Sequence, residues 1–372
     1  MRWAGFGLLL VFALTPARAA SFSNRIHRVD AMAQAEWEQD RIGSLTVGVI
    51  EDGKLAWTRS YGDADMERRV AATPDTVYRV GSITKSVTAV MLSQLVEQGR
   101  VHLSDPVERY VPEIRRVRGG YSGAAPVTLF ELATHTSGLA REPDNAGAYV
   151  MGPVSGWETT LVAALGRTRY LYEPGIRYSY SNVGYAVLGL ALERAAARPY
   201  VDYVTGKILR PLGMAHTAFV PNAAMRGNIA KGYGVTGGKI DLGRAARERE
   251  GRGYKVPNGG LYSTVGDLAR FATVWLGDAP VNVLKKRTLD EMFQQAVAAD
   301  VNLSHGYGRG FHVFRRGELV AMGHGGQVAG FLAALYLDRG SRTGVIVLAN
   351  ENGGKARPSS LAMRALAALA GS

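Results

Sequence analysis

Gly81-Ser82-Ile83-Thr84-Lys85-Ser86 opens a run in which Ile83, Val87, Val90, Met91 and Leu95 recur at helical spacing as far as Gly99. A serine and a lysine three residues apart share one helix face with Cβ atoms ~5–6 Å apart, so an amine can reach the hydroxyl. Serine needs a neighbouring base to become a nucleophile, and a lysine that has lost its proton can serve. The spacing alone proves little. With 19 serines and 9 lysines in 372 residues, chance supplies it about once in two such sequences. Ser82 also stands at the head of a helix, where unpaired backbone N–H groups favour negative charge and where serine is a common cap.

Outward from this run the chain changes character twice. Phe22 to Asp40 reads as a helix through Ile26, Val29, Met32 and Trp37. Leu45–Ile50 and Leu55–Tyr61 are β-type runs around Asp52-Gly53, a hairpin signal, and Thr76–Val80 is a short extended run that delivers the chain to Ser82. Helical patterns then dominate: Leu129–Thr134, Thr159–Leu165, Val183–Ala196, Tyr200–Ile208, Thr264–Leu276 and Leu289–Val297. Strand signals return at Gly308–Phe314, Leu319–Met322, Phe331–Leu337 and Thr343–Ala349, before a last helix at Ser360–Leu369. The pattern predicts an α/β protein of the α+β type. An antiparallel sheet flanked by N- and C-terminal helices comes from residues 20–102 and 304–372, with a mainly helical domain, 103–303, inserted and the site between the two.

Composition narrows the chemistry. The chain has no cysteine, which excludes disulfides, thiolate metal sites and a cysteine nucleophile. The seven histidines are dispersed in sequence, and neither His-Glu-x-x-His nor Gly-x-Ser-x-Gly occurs, so neither a metallohydrolase nor an α/β-hydrolase is indicated. No metal or cofactor is expected. Residues 1–19 read as an export leader: Arg2, the apolar run Leu8–Leu14, and Ala17-Arg18-Ala19 as a cleavage site, with the mature chain starting near Ala20. That run is short for a membrane span, so a periplasmic or extracellular protein without a stable anchor is expected. The formal charge is +12, and the leader carries Arg2 and Arg18, which leaves +10. The basic residues are scattered and no nucleic-acid motif is legible, so a nucleic-acid partner is not expected.

Two further stretches place chemistry-bearing side chains. Pro174-Gly175 marks a loop ahead of Tyr178-Ser179-Tyr180-Ser181-Asn182, which displays Tyr180 and Asn182 before an apolar helix. A phenol serves as acid or base beside cations, and a carboxamide can bond both a lysine and a substrate amide. Taken alone, Asn182 would be a helix cap and Tyr180 a packing residue. Gly323-His324-Gly325-Gly326-Gln327 lies between two strand patterns, where glycines let backbone come close to a ligand.

In this order, Ser-Ile-Thr-Lys, Tyr-Ser-Asn and His-Gly-Gly resemble the three motifs of the serine β-lactamase and penicillin-binding-protein superfamily. The nearest likeness is to its class C β-lactamase, family VIII carboxylesterase and D-aminopeptidase-like branch. His135-Thr136-Ser137-Gly138-Leu139 and Asn258-Gly259-Gly260-Leu261-Tyr262-Ser263-Thr264 are similar to that branch as well, and the likeness spans about Thr46 to Ala349.

The resemblance implies Ser82 as the acylated nucleophile, Lys85 as its proton-handling partner and Tyr180 as the base. It implies an oxyanion hole from the backbone N–H groups of Ser82 and Gln327, and substrate binding by Asn182, His324, Gly325 and Gly326. A lysine base must have its pKa lowered by ~3 units at a cost of ~4 kcal/mol, so a charged Lys85 that lowers the Tyr180 pKa is the expected division of labour. The third motif departs from the Lys-Thr-Gly of family β-lactamases. A neutral histidine and a glycine hold a carboxylate less well. The expectation is therefore an ester or peptide-amide hydrolase acting on a small-molecule or peptide substrate, cell-wall material being one candidate. β-Lactam hydrolysis and a penicillin-binding sensor with little turnover are the alternatives, and the oligomeric state is open.

Overall fold

The computed structural model describes residues 16–248, 251–279, 281 and 283–370. The expected leader, residues 1–19, lies outside these for its first fifteen residues, and its last four begin the helix Pro16–Trp37. No helix among the described residues is long and apolar enough to cross a membrane.

The centre of the fold is the antiparallel pairing of Ser44–Glu51 with Thr343–Ala349, in which Val47 faces Val347. Outward on one side follow Lys54–Asp65 and Val70–Ala71; on the other, Phe331–Asp338, Leu319–Val328, His312–Arg316, His305–Tyr307 and Val297–Ala298 complete a nine-stranded sheet. Asp52 and Gly53 both take positive φ, 50° and 76°, the backbone that a two-residue hairpin turn matching the sheet twist requires.

Strand Thr343–Ala349 is buried throughout, and its alternation sorts its side chains between two cores. Val345, Val347 and Ala349 pack with Leu361, Ala365 and Leu366 of the helix Pro358–Ala370 and with Val29 and Ala33 of the helix Pro16–Trp37. Ile346 and Leu348 turn to the larger core shared with the helical part of the chain. A strand covered on both faces reads as a continuous apolar run, because period-two alternation then separates two dry surfaces rather than oil from water. The protein is a mixed α and β fold, an antiparallel sheet with terminal helices on one face and helices on the other.

The helix Thr84–Glu97 runs through that second core, buried from Thr84 to Leu95, between the helix Asn182–Ala196 and the short helix Val256–Gly259. Its preceding turn, Gly81–Ile83, lies against strand Leu319–Val328.

Several elements differ from their sequence patterns. Tyr200–Ile208 is α-helical only to Val204 and continues as a wider turn over Thr205–Leu209. The helix expected at Leu289–Val297 occupies Lys286–Gln294, and Val297–Ala298 pairs with His305–Tyr307 at the sheet edge instead. A hairpin, Tyr233–Thr236 and Lys239–Asp241, stands within the mainly helical stretch and pairs with Glu351–Asn352. Its partner is more than a hundred residues away, so no local pattern announces it. The His-Gly-Gly motif is inside a strand rather than between two, since Leu319–Val328 continues through all three glycines.

Candidate active site

Lys85 is fully buried, and its Nζ has three neighbours: Ser82 Oγ at 3.1 Å, Asn182 Oδ1 at 2.7 Å and the Asn258 carbonyl oxygen at 2.9 Å. Burial, then the positive charges of Lys255, Arg141 and Arg252, push its pKa well below the usual lysine range, with Glu142 acting against them. A neutral amine has two N–H donors and one lone pair. The two carbonyl oxygens can only accept, so they take the two N–H groups. The lone pair is left for the Ser82 hydroxyl.

Tyr180 keeps part of its ring at the cleft surface, but its hydroxyl lies deep and hydrogen-bonds Ser82. Burial pushes the phenol well above its ordinary pKa, and the Ser82 bond and the Arg141 charge recover only part of this. These directions run against the expected division of labour. Both shifts favour the uncharged forms, an amine for Lys85 and a phenol for Tyr180. Nothing in the sequence pattern carried this, because desolvation is set by what packs around the pair.

Ser181, not Asn182, caps the helix Asn182–Ala196: its Oγ accepts from the Gly184 amide at 2.8 Å. Asn182 is thereby free to join a polar chain. Its Oδ1 accepts from Lys85 and its Nδ2 donates to Glu142 Oε1 at 2.7 Å. Glu142 also accepts from Lys255 at 3.0 Å and from Tyr254. Asn258 completes the frame, with Nδ2 donating to the Asn182 carbonyl oxygen at 2.9 Å. Glu142, Lys255 and Asn258 were missed as site residues. Asn258 belongs to the family-like stretch Asn258–Thr264, whereas Glu142, in a loop, and Lys255, in the turn Gly253–Lys255, carry no readable pattern.

The third motif meets Ser82 through backbone. A Cβ on Gly326 would stand 2.0 Å from the Val80 carbonyl oxygen, and one on Gly81, at φ 51°, would stand 2.7 Å from the Gln327 nitrogen. Only glycines permit this approach of strand to nucleophile turn. The backbones of Ser82 and Gln327 are thereby neighbours.

His324 lines the cleft beside Gly325 and Gly326. It is buried, its Nδ1 bonds the Gly325 carbonyl oxygen at 2.6 Å and must donate there, and its Nε2 accepts from Tyr307 Oη at 3.0 Å. Burial, then the electrostatic influence of His312 and Lys85, holds its pKa well below normal, so it is neutral with both nitrogens engaged.

The histidines dispersed in sequence are in part gathered in space. His305 and His312 are hydrogen-bonded at 2.8 Å, and His312 lies 4.8 Å from His324, ring centre to ring centre. His135 packs against Tyr180 with ring centres 4.1 Å apart and the planes tilted by 35°, and its Nδ1 accepts from the Ser181 amide at 3.0 Å. No group of three or more metal-ligating side chains occurs among the described residues.

All this borders one cleft of about 630 Å³, lined by Ser82, Tyr180, Asn182 and strand residues 324–329 on one part and by Arg141, Glu142, Arg252 and Lys255 on another. A family model described as Beta-lactamase matches residues 29–370. The chain belongs to the β-lactamase family. It is a serine hydrolase of that superfamily, and the arrangement of serine, lysine and tyrosine around one cleft accords with it.

Among relatives, the D-alanyl-D-alanine-carboxypeptidase/endopeptidase AmpH of Escherichia coli K12 is 32% identical over 274 residues, 69% of this chain and 67% of its own. An octameric penicillin-binding protein homologue from Pyrococcus abyssi superimposes with a TM-score of 0.78 at 28% identity, covering 93% of this chain and 77% of that one. The D-alanine carboxypeptidase AmpC from Burkholderia cenocepacia shares the fold, with a TM-score of 0.74 at 22% identity over 94% of this β-lactamase-family chain and 99% of its own.

Proposed function

We propose that this β-lactamase-family chain hydrolyses carboxylic esters or peptide-type amides through an acyl-enzyme on Ser82. The observation that carries the reading is the three-way setting of Lys85 Nζ, two carbonyl oxygens and the Ser82 hydroxyl around a fully buried amine. Lys85 takes the hydroxyl proton as Ser82 Oγ attacks the substrate carbonyl carbon. The developing oxyanion is received by the backbone N–H groups of Ser82 and Gln327, each such donor being worth ~2.7–4 kcal/mol in the transition state. The proton then passes from Lys85 through the Tyr180 hydroxyl to the leaving oxygen or nitrogen. Water attacks the ester on Ser82 from the cleft, and the same pair returns a proton to Ser82 Oγ.

The AmpH name supports a peptide-type substrate, and the absence of a cation at His324 and Gly325 disfavours efficient β-lactam turnover. The site lies between a sheet domain, 20–102 with 304–372, and a helical domain, 103–303, and the protein works outside the cytoplasm once its leader is removed. The test is incubation with a short-chain p-nitrophenyl ester, with intact mass spectrometry locating the acyl group. Turnover with an adduct on Ser82 is expected; wild-type turnover by Ser82→Ala would refute the assignment. A penicillin-sensing module would instead keep a stable penicillin adduct and turn over neither ester nor amide.

A further inference from the structure

Charge is unevenly placed around the cleft. The strand side, with neutral His324 and with Gly325 and Gly326, presents no cation. The far end carries Arg141, Arg252 and Lys255 against Glu142 and Glu248. Lys255 is matched by Glu142. Arg252 is matched by Glu248, but the same carboxylate also serves Arg79, whose Nη1 lies 3.9 Å from Glu248 Oε2 and donates to the Glu248 carbonyl oxygen at 2.7 Å. Both guanidiniums are buried, 3% and 5% exposed, and the Nε of each lacks a hydrogen-bond partner. Among the described residues, two buried cations thus share the Glu248 carboxylate. Burial and the nearby Arg79 hold Arg252 down to about 9, the electrostatic mark of that crowding.

Arg141 adds a further positive charge. It is exposed, lines the cleft, and has no carboxylate partner among the described residues. Its Cζ stands 4.9 Å from the centre of the Tyr180 ring, and Lys85 Nζ stands 4.9 Å from the same centre. The two groups are therefore no more than twice that distance apart, within reach of a short acyl chain on Ser82. Its carbonyl oxygen accepts from the amides of Asn182 and Val183, which ties it to the Asn182 side of the nucleophile.

We infer that the Arg141–Arg252 end of the cleft is a carboxylate subsite, holding an acidic group carried on the acyl part of the substrate. The preferred substrates are then half-esters or half-amides of dicarboxylic acids, acidic amino-acid side chains included. The inference rests on the Ser82 acyl-enzyme reading and adds to it where the selectivity comes from. A positive end inside a low-dielectric cleft attracts an anion more strongly than an exposed pair would. It also moves anion recognition away from the third motif, where the family's lysine is missing.

The experiment compares p-nitrophenyl half-esters of succinic, glutaric and adipic acid with neutral p-nitrophenyl esters of equal chain length. For the best chain length, wild-type kcat/KM for the acid is expected to exceed that for the neutral ester by at least tenfold. Added salt should shrink this ratio. Arg141→Gln should lower the ratio at least fivefold and Arg141→Lys should restore most of it. Arg252→Gln should lower it too, and because Arg141 is exposed its variant carries the test if the buried one fails to fold. Equal rates on acid and neutral esters, or a ratio unmoved in Arg141→Gln, would overturn the subsite while leaving the acyl-enzyme in place. Absence of turnover and of any adduct on Ser82 with both ester series would overturn both readings together.

Discussion

Gly325 and Gly326 are adjacent on one strand, yet alanine should act very differently at the two positions. At Gly326 the new methyl would stand 2.0 Å from the Val80 carbonyl oxygen and 3.3 Å from Ala333 Cβ, so the obstacle is backbone. Relief to ordinary contact demands a displacement of more than ~1 Å between strand and nucleophile turn, since heavy atoms in contact prefer ~3.5 Å. A donor displaced that far no longer reaches the oxyanion. Losing it costs ~2.7–4 kcal/mol, or ~100–1,000-fold in kcat. At Gly325 the methyl points to the other face and meets Ser359 Oγ at 2.6 Å, the end of a side chain that can rotate away. The expected loss there is below ~10-fold. The assay is steady-state p-nitrophenyl butyrate hydrolysis, with circular dichroism melting as the control for folding. Equal losses at the two positions, or Gly326→Ala within threefold of wild type, would refute the argument that strand register places the second donor.

Other outcomes follow from the same geometry. Lys85→Arg should lose at least ~1,000-fold in kcat/KM, because a guanidinium cannot give up its proton to become a base; near-wild-type single-turnover acylation would contradict this. The kcat/KM profile should rise with pH as Lys85 deprotonates, and Glu142→Gln, which removes the one negative charge favouring the ammonium, should move that limb to lower pH. A limb that moves upward would oppose Lys85 as the base. His135 and His324 are buried and His312 is half-buried, and desolvation lowers the pKa of all three, that of His312 to about 3. The folded state binds fewer protons there, so stability is full above the unfolded histidine pKa of ~6.5 and falls below it by up to ~1.4 kcal/mol per pH unit per histidine. Melting temperature should drop between pH 7 and pH 4, and His312→Gln should flatten the slope. Nitrocefin turnover should be slow or undetectable, and rapid turnover would show that a cation in the third motif is dispensable.

The sequence by itself determined most of the elements and the three motifs that border the cleft. Hydrophobic period, the Asp52-Gly53 turn and the strand runs are local, so the sheet, its flanking helices and the buried helix after Ser82 could be read directly. The Ser82-Lys85 spacing needed no fold, because three residues on one helix face are always neighbours. What only tertiary structure decided is how those groups are charged and where the third motif lies. Lys85 and Tyr180 are each pushed towards the uncharged form because each is desolvated by distant segments, and desolvation has no sequence period. His324 is silenced by Tyr307 and its own strand, although its place in the motif suggested a ligand contact. Glu142 reaches the site from a loop, and Lys255 and Asn258 from a helical turn and the short helix after it, all more than fifty residues beyond Ser82 and brought there by packing of the helical part against the sheet. Gly326 is a glycine only because strand and nucleophile turn must touch, a demand between segments that no single stretch of chain records.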